Sequence, residues 1–430
     1  TDSFTYTVTD GNGASASETV TITLTGTNDG ITAVADTGAT DQDSVLSVPA
    51  GTGVLANDTD LDGDTLSVSE VNGNPANVGN QITLASGALL TLNADGSYDY
   101  DPNGAFDSLA VGLTTSDSFT YTVTDGNGAS DSATVTITLT GTNDGITAVA
   151  DTGATDQNTV LSVPTATGVL ANDTDLDGDT LSVSEVNGNA ANVGTPITLA
   201  SGALLTLNAN GSYDYDPNGA FDSLAVGVNT TDSFTYTVTD GNGASASETV
   251  TITLTGTNDG ITAVADTGAT DQDTALSVPA ASGVLTNDTD LDGDTLTVSD
   301  VNGTGGNVGT PITLASGALL TLNADGSYDY DPNGVFDGLA VGVNATDTFT
   351  YTVTDGNGAS ASETVTITLT GTNDGITAVA DTGATDQDTV LSVPAATGVL
   401  SNDTDLDGDT LTVSDVNGTG GNVGTPITLA

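Results

Sequence analysis

The chain has no Lys, no Arg and no His, against 58 Asp and Glu in 430 residues, a formal charge of −58. No basic side chain is available to meet nucleic-acid phosphate, so a nucleic-acid partner is not expected. An anionic membrane surface is disfavoured for the same reason. The usual nucleophile–base pairs of catalysis need His, Cys or Lys, and all three are missing. Paired carboxylates could in principle cleave glycosides. The nearest pair, Asp99 and Asp101, shares the outward face of one strand pattern, so no catalytic residue is assigned. With no Cys there is no disulfide to brace a fold, and with no Lys there is no isopeptide staple. There is no Trp and no Met, and aromatics are only 4%. No apolar run is long enough to span a bilayer, and none resembles a signal peptide. Targeting signals are expected outside the segment.

High charge with few aromatics is also the composition of disordered chains. That reading fails here, because 36% of residues are hydrophobic and they alternate regularly. At Ser118–Asp125, Phe119, Tyr121 and Val123 alternate with Ser and Thr. At Ala133–Gly141, Val135, Ile137 and Leu139 do the same. Apolar residues at every second position place one face on a core and the other in water. The link Asp125-Gly126-Asn127-Gly128-Ala129-Ser130 supplies positive φ cheaply and predicts an antiparallel hairpin. A second hairpin pairs Ala88–Asn93 with Ser97–Asp101 around Asp95-Gly96, which makes Asp95 a turn residue. Further strands are predicted at Ile31–Asp36, Ser44–Val48, Thr65–Val71 and Gln81–Ala85. About eight short strands with turn signals between them predict an all-β sandwich.

The pattern repeats. The segment TDSFTYTVTDGNG at Thr1 returns at Ser116, Thr231 and Thr346, always 115 residues on. A period of that size is a whole domain rather than a solenoid turn. The expected organisation is a tandem array: 1–29 as the C-terminal part of a repeat, complete β-sandwich repeats at 30–144, 145–259 and 260–374, and 375–430 as the N-terminal part of another. The chain is then a window on a longer protein. Linkers of a few residues imply that neighbouring repeats touch.

One motif carries chemistry. Asn57-Asp58-Thr59-Asp60-Leu61-Asp62-Gly63-Asp64 recurs at every period. Its carboxylates are Asp58, Asp60, Asp62 and Asp64; Asp173, Asp175, Asp177 and Asp179; Asp288, Asp290, Asp292 and Asp294; and Asp403, Asp405, Asp407 and Asp409. Carboxylates at alternate positions followed by Gly match the first half of an EF-hand loop, and hard oxygen ligands suit Ca2+. The match then departs: position twelve is Ser69, Glu70 comes one place late, and the flank reads as a strand. The expected object is a calcium loop between strands, completed by ligands from elsewhere, at least one ion per repeat. The bland alternative is a solvated acidic loop, but so dense a cluster with no cation in the chain is costly. A second candidate set lies at the borders: Asn28 and Asp29, Asn143 and Asp144, Asn258 and Asp259, Asn373 and Asp374, with Asp10, Asp36 and Asp41 nearby. Ordinary linker chemistry explains these equally well.

Phe106-Asp107-Ser108-Leu109-Ala110-Val111-Gly112, DSFTYTVTDGNG, TVTITLTG and Thr142-Asn143-Asp144 resemble the VCBS repeat of giant bacterial surface proteins. The segment ADTGATDQDSVLSVPAGTGVLANDTDLDGDTLSVS resembles the cadherin-like repeats of RTX-type adhesins. The resemblance implies an Ig-like or cadherin-like Greek-key sandwich, export to the cell surface or medium, calcium at domain junctions, and a role in adhesion, biofilm or surface coats. The partners it implies are neighbouring repeats, other copies of the chain, or surface and matrix polysaccharide. One departure bears on the joints: the family border continues Asn-Asp-Ala-Pro, whereas Gly30-Ile31 follows Asn28-Asp29 here. Two functions follow, a calcium-stiffened extender stalk and a laterally assembling filament. A calcium-dependent carbohydrate module is a third, without an aromatic platform to support it.

Overall fold

A computed structural model describes residues 1–429. Among them there is no α-helix, only strands and short 3-10 turns, and hence no helix long and apolar enough to cross a membrane. The N-terminal hairpin pairs β1 (Asp2–Thr9) with β2 (Ser15–Ile22). The first complete repeat then contains β3 (Ile31–Thr32), β4 (Asp36–Asp41), β5 (Leu46–Val48), β6 (Thr59–Asp60), β7 (Ser67–Val71), β8 (Ile82–Thr83), β9 (Leu89–Leu92), β10 (Tyr98–Asp101), β11 (Thr114–Thr124) and β12 (Ser130–Thr140). They form two four-stranded sheets, ordered β4-β12-β11-β7 and β5-β10-β9-β8, and a two-stranded ribbon of β3 and β6. The next two repeats copy this arrangement strand for strand.

The alternating residues of β11 and β12 face inward as the period of two requires. Phe119, Tyr121, Val123, Val135, Ile137 and Leu139 are all buried, and the intervening Thr and Ser face out. Leu90, Leu92, Tyr98 and Tyr100 close the core from the other sheet. Tyr98 meets Phe119 edge to face at 5.6 Å, the favoured geometry for aromatic pairs. Each repeat has its own core cluster, with no residue shared between clusters.

Both expected hairpins form. Asp95 is a turn residue, its Oδ1 accepting from Ser97 N at 3.0 Å, with Gly96 at φ +84°. The structure corrects the strand list elsewhere. Ile31–Asp36 is not one strand: it splits into β3 and the start of β4, which runs on to Asp41. Gly38 lies inside β4 and is needed there. A Cβ there would lie 2.7 Å from Ile137 Cδ1 and 2.9 Å from Leu46 Cδ2, so only glycine lets β4 lie parallel against β12.

Candidate metal centre at the joints between repeats

The β3–β6 ribbon builds the site. Ile31 pairs with Asp60 and Thr32 with Thr59, which lays the linker before Ile31 alongside the loop after Asp60. Asp29 N donates to Asp62 Oδ2 at 2.7 Å. Within the loop, Asp60 Oδ1 accepts from Asp62 N at 2.8 Å and Asp64 N at 3.2 Å. Gly63 turns the chain at φ +79°. Asp60, Asp62 and Asp64 each bring an oxygen within 4.8 Å of the others. The same holds for Asp175, Asp177 and Asp179, for Asp290, Asp292 and Asp294, and for Asp405, Asp407 and Asp409.

The neighbouring hairpin supports the loop. Asn127 Nδ2 donates to Asp64 Oδ2 at 2.8 Å, and Asn28 Nδ2 to Asp125 Oδ2 at 2.8 Å. Asp125 Oδ1 collects N–H groups from Asn127, Gly128 and Ala129. Burial would raise the Asp125 carboxyl, but the Asn28 amide and these N–H groups outweigh it and hold it below the ordinary range. Asn143 and Asn258 repeat the Asn28 contact with Asp240 and Asp355. Asn373 donates instead to Asp374 O.

The fourth residue of each motif goes elsewhere. Asp58 is not in the cluster: its Oδ1 accepts from Val34 N at 2.7 Å and its Oδ2 from the Tyr121 hydroxyl at 3.0 Å. Asp173, Asp288 and Asp403 take the same N–H from Val149, Val264 and Val379. Tyr121 also reaches Asp36 Oδ2 at 3.2 Å. Burial, then neighbouring charge, raises the carboxyls of Asp36 and Asp58. A third carboxylate adds to this repulsion in every repeat, from two different positions on the strand: Asp131 in the first, but Glu248 and Glu363, two residues further along, in the others. Asp10 and Asp41 serve turns, accepting from Asn12 N and Asp43 N.

The preceding repeat completes the joints at Asp144, Asp259 and Asp374. Gln42 Nε2 donates to Asp144 Oδ2 at 2.8 Å, while Asp144 N donates across to Asp177 Oδ2 at 2.8 Å. Burial, then Asp43, Asp177 and Asp107, pushes Asp144 up to about 6. Asp273, Asp337 and Asp374 form the corresponding cluster at the third joint. Sequence reasoning missed Gln42, Asp43, Asp107 and Asp125. Gln42, Asp107 and Asp125 recur at the repeat period in otherwise polar loops, which is the signal that was there; Asp43 is replaced by Asn158 in the second complete repeat.

The donor set fits a hard divalent cation. Asp60 Oδ2, Asp175 Oδ2, Asp177 Oδ1, Asp290 Oδ2, Asp292 Oδ1, Asp407 Oδ1, Asn143 Oδ1 and Asn258 Oδ1 are buried without a hydrogen-bond partner. Buried polar atoms are ordinarily satisfied, and an unpaired buried charge is costlier still. All these orphans are oxygens, and the chain has no cationic side chain to meet them. Asp60, Asp62 and Asp64 and their equivalents would hold the ion. Bound there, it would neutralise the loop and tie the linker to it.

Electrostatics sets a pH dependence for the metal-free chain. Asp144, Asp151 and Asp266 are pushed up to about 6, by burial first, from an ordinary 3.8. Between those values the folded state binds more protons than the unfolded state. Stability in chelator is therefore expected to fall as pH rises from about 4 to about 6. Denaturant midpoints across that window check the sign; a rise would contradict it.

A family profile described as "Bacterial cadherin-like domain" matches residues 28–141, 143–256 and 258–371. No curated protein shows significant sequence similarity to the chain. Among solved structures, protocadherin gamma B2 extracellular cadherin domains 1–5 superpose with a TM-score of 0.51 at 13% identity, covering 86% of this chain and 66% of that one. Mouse cadherin-23 EC22-24 gives a TM-score of 0.44 at 14% identity, covering 78% and 95%. The chain thus spans 66% of the protocadherin structure's length, and at such identities the likeness concerns the fold. The profile covers three consecutive stretches at the spacing of the repeats and most of the sequence, and on that ground the chain belongs to the bacterial cadherin-like domain family.

Proposed function

We propose that this chain is a calcium-stiffened extender segment of an extracellular adhesin or biofilm-matrix protein, with no catalytic role. The observation that carries this reading is the set of orphan carboxylate oxygens at each joint, in a loop hydrogen-bonded to the linker itself. A cation there bonds the loop, and through Asp29, Asp144, Asp259 and Asp374 it fixes where the next repeat starts. Without it, like charges face one another across a linker of a few residues. Small-angle scattering of the whole chain with and without calcium tests this reading: an extended, narrowly distributed particle is expected with the ion and a more compact, heterogeneous one in chelator.

A second reading has its own observation. The outward faces of β11 and β12 pair hydroxyl with hydroxyl, Ser118 with Thr136, Thr120 with Thr134, Thr122 with Ser132 and Thr124 with Ser130, in a stripe bordered by Glu70 opposite Thr122 and Asp41 opposite Thr140. In so acidic a chain this hydroxyl stripe is where copies could pack side by side into a filament. Scattering that grows with concentration in calcium would favour it.

A further inference from the structure

The joints of the array are not built alike. At each of the three joints that follow a complete repeat, a buried glutamine of that repeat donates to the linker aspartate: Gln42 to Asp144 at 2.8 Å, Gln157 to Asp259 at 2.6 Å, and Gln272 to Asp374. At each, that aspartate's N–H donates across the joint at 2.8 Å, to Asp177, Asp292 or Asp407. The residue after the glutamine differs. It is Asp43 at the first joint and Asp273 at the third, but Asn158 at the second.

The consequence is a reversal of sign. Asp43 and Asp273 accept from the hydroxyls of Thr142 and Thr372 and set a second negative charge near the linker carboxylate. At the third joint the carboxylate oxygens of Asp273, Asp337 and Asp374 lie within 4.8 Å of one another, and Asp43, Asp107 and Asp144 hold the equivalent positions at the first. Asn158 instead donates, through Nδ2, to Asp259 Oδ1 at 3.0 Å and to Thr257 Oγ1 at 2.8 Å. Asp259 therefore has both carboxylate oxygens bonded to amides of the preceding repeat, and its N–H bonded to the following one. Hydrogen bonds to an ionised carboxylate are the stronger kind, whereas paired carboxylates repel.

We infer that Gln157 and Asn158 form an amide latch that keeps the joint between the second and third complete repeats closed without bound cation, while the joints on either side of that pair need one to hold Asp144 beside Asp43 and Asp374 beside Asp273. The inference rests on reading the joints as calcium sites. It adds that the array answers calcium unevenly: two repeats stay coupled as a fixed pair, and the joints flanking them loosen.

The chain has no cysteine, so spin labels can be placed freely at exposed strand positions. Ser118→Cys with Ser233→Cys spans the first joint, and Ser233→Cys with Thr348→Cys spans the second; all three positions are exposed. Pulsed dipolar distances are measured in the whole chain, in calcium chloride and in chelator. Chelation is expected to broaden the distribution across the first joint and leave the second narrow. Asn158→Asp should make the second joint broaden like the first, and Asp43→Asn should make the first resist. Equal broadening at both joints in the parent chain, or no effect of Asn158→Asp, overturns the latch and leaves the calcium reading intact. No broadening at either joint overturns the calcium reading itself, and the contrast between joints with it.

Discussion

Chelating calcium is expected to lower the melting temperature of every complete repeat. The folded chain holds three carboxylates in each loop, with orphan oxygens among them, and no cationic side chain elsewhere. An ion that binds only the folded state contributes about 2.7 kcal/mol per site when its free concentration is about 100 times Kd. For a domain of this size, 1 kcal/mol moves the midpoint by about 4 °C. The loss should therefore reach on the order of ten degrees per repeat. Part of it should return at high salt, because screening weakens repulsion between exposed charges. Magnesium should compensate less, since it demands a tighter octahedral shell and gives up water reluctantly. Calorimetric scans in calcium, in chelator and in chelator with added salt measure all three effects. Melting that ignores chelation would remove the metal from the account.

Phe234→Ala should destabilise the middle repeat by about 3–5 kcal/mol, the usual cost of emptying an aromatic site in a core. Phe234 is 2% exposed and meets Tyr213 edge to face at 5.5 Å. Its core cluster shares no residue with those of its neighbours. The change should therefore move one transition of the array and leave two nearly in place. A calorimetric trace that splits in this way supports repeats with separate cores, meeting at polar joints. A trace in which all transitions shift together would show that the joints couple the repeats far more tightly than their hydrogen bonds suggest.

The parts of this architecture that were legible in the sequence are those specified locally. β11, β12 and the turn between them follow from alternation and from Asp125–Gly128, all within a few tens of residues. The Asp60–Asp64 loop was legible for the same reason: carboxylate spacing and Gly63 act over one turn. What was not legible is set by distant contacts. Most of β4 lay beyond the strand predicted at Ile31–Asp36, and the missing side chain of Gly38 within it is explained only by Ile137 and Leu46 from other strands. Asp58 fits the alternate-carboxylate pattern yet leaves the cluster, because Val34 N and the Tyr121 hydroxyl capture it. The joint residues Gln42, Asp43 and Asp107 are far from the motif in sequence and meet Asp144 only in the folded array. The border asparagines also make a contact that their sequence neighbourhood does not show. Asn28, Asn143 and Asn258 use their amide N–H on a hairpin carboxylate, which leaves Oδ1 of Asn143 and Asn258 buried and free to face a cation.

The central claim is that calcium bound in the loops stiffens the array. Small-angle scattering of the full 430-residue chain, titrated with calcium from a chelated start, tests it most directly. The account predicts a saturable lengthening and narrowing of the particle that chelator reverses. A chain in which Asp62, Asp177, Asp292 and Asp407 are all replaced by Asn should lose that change while its sandwich cores stay folded. Scattering curves that superpose at every calcium concentration would contradict the claim.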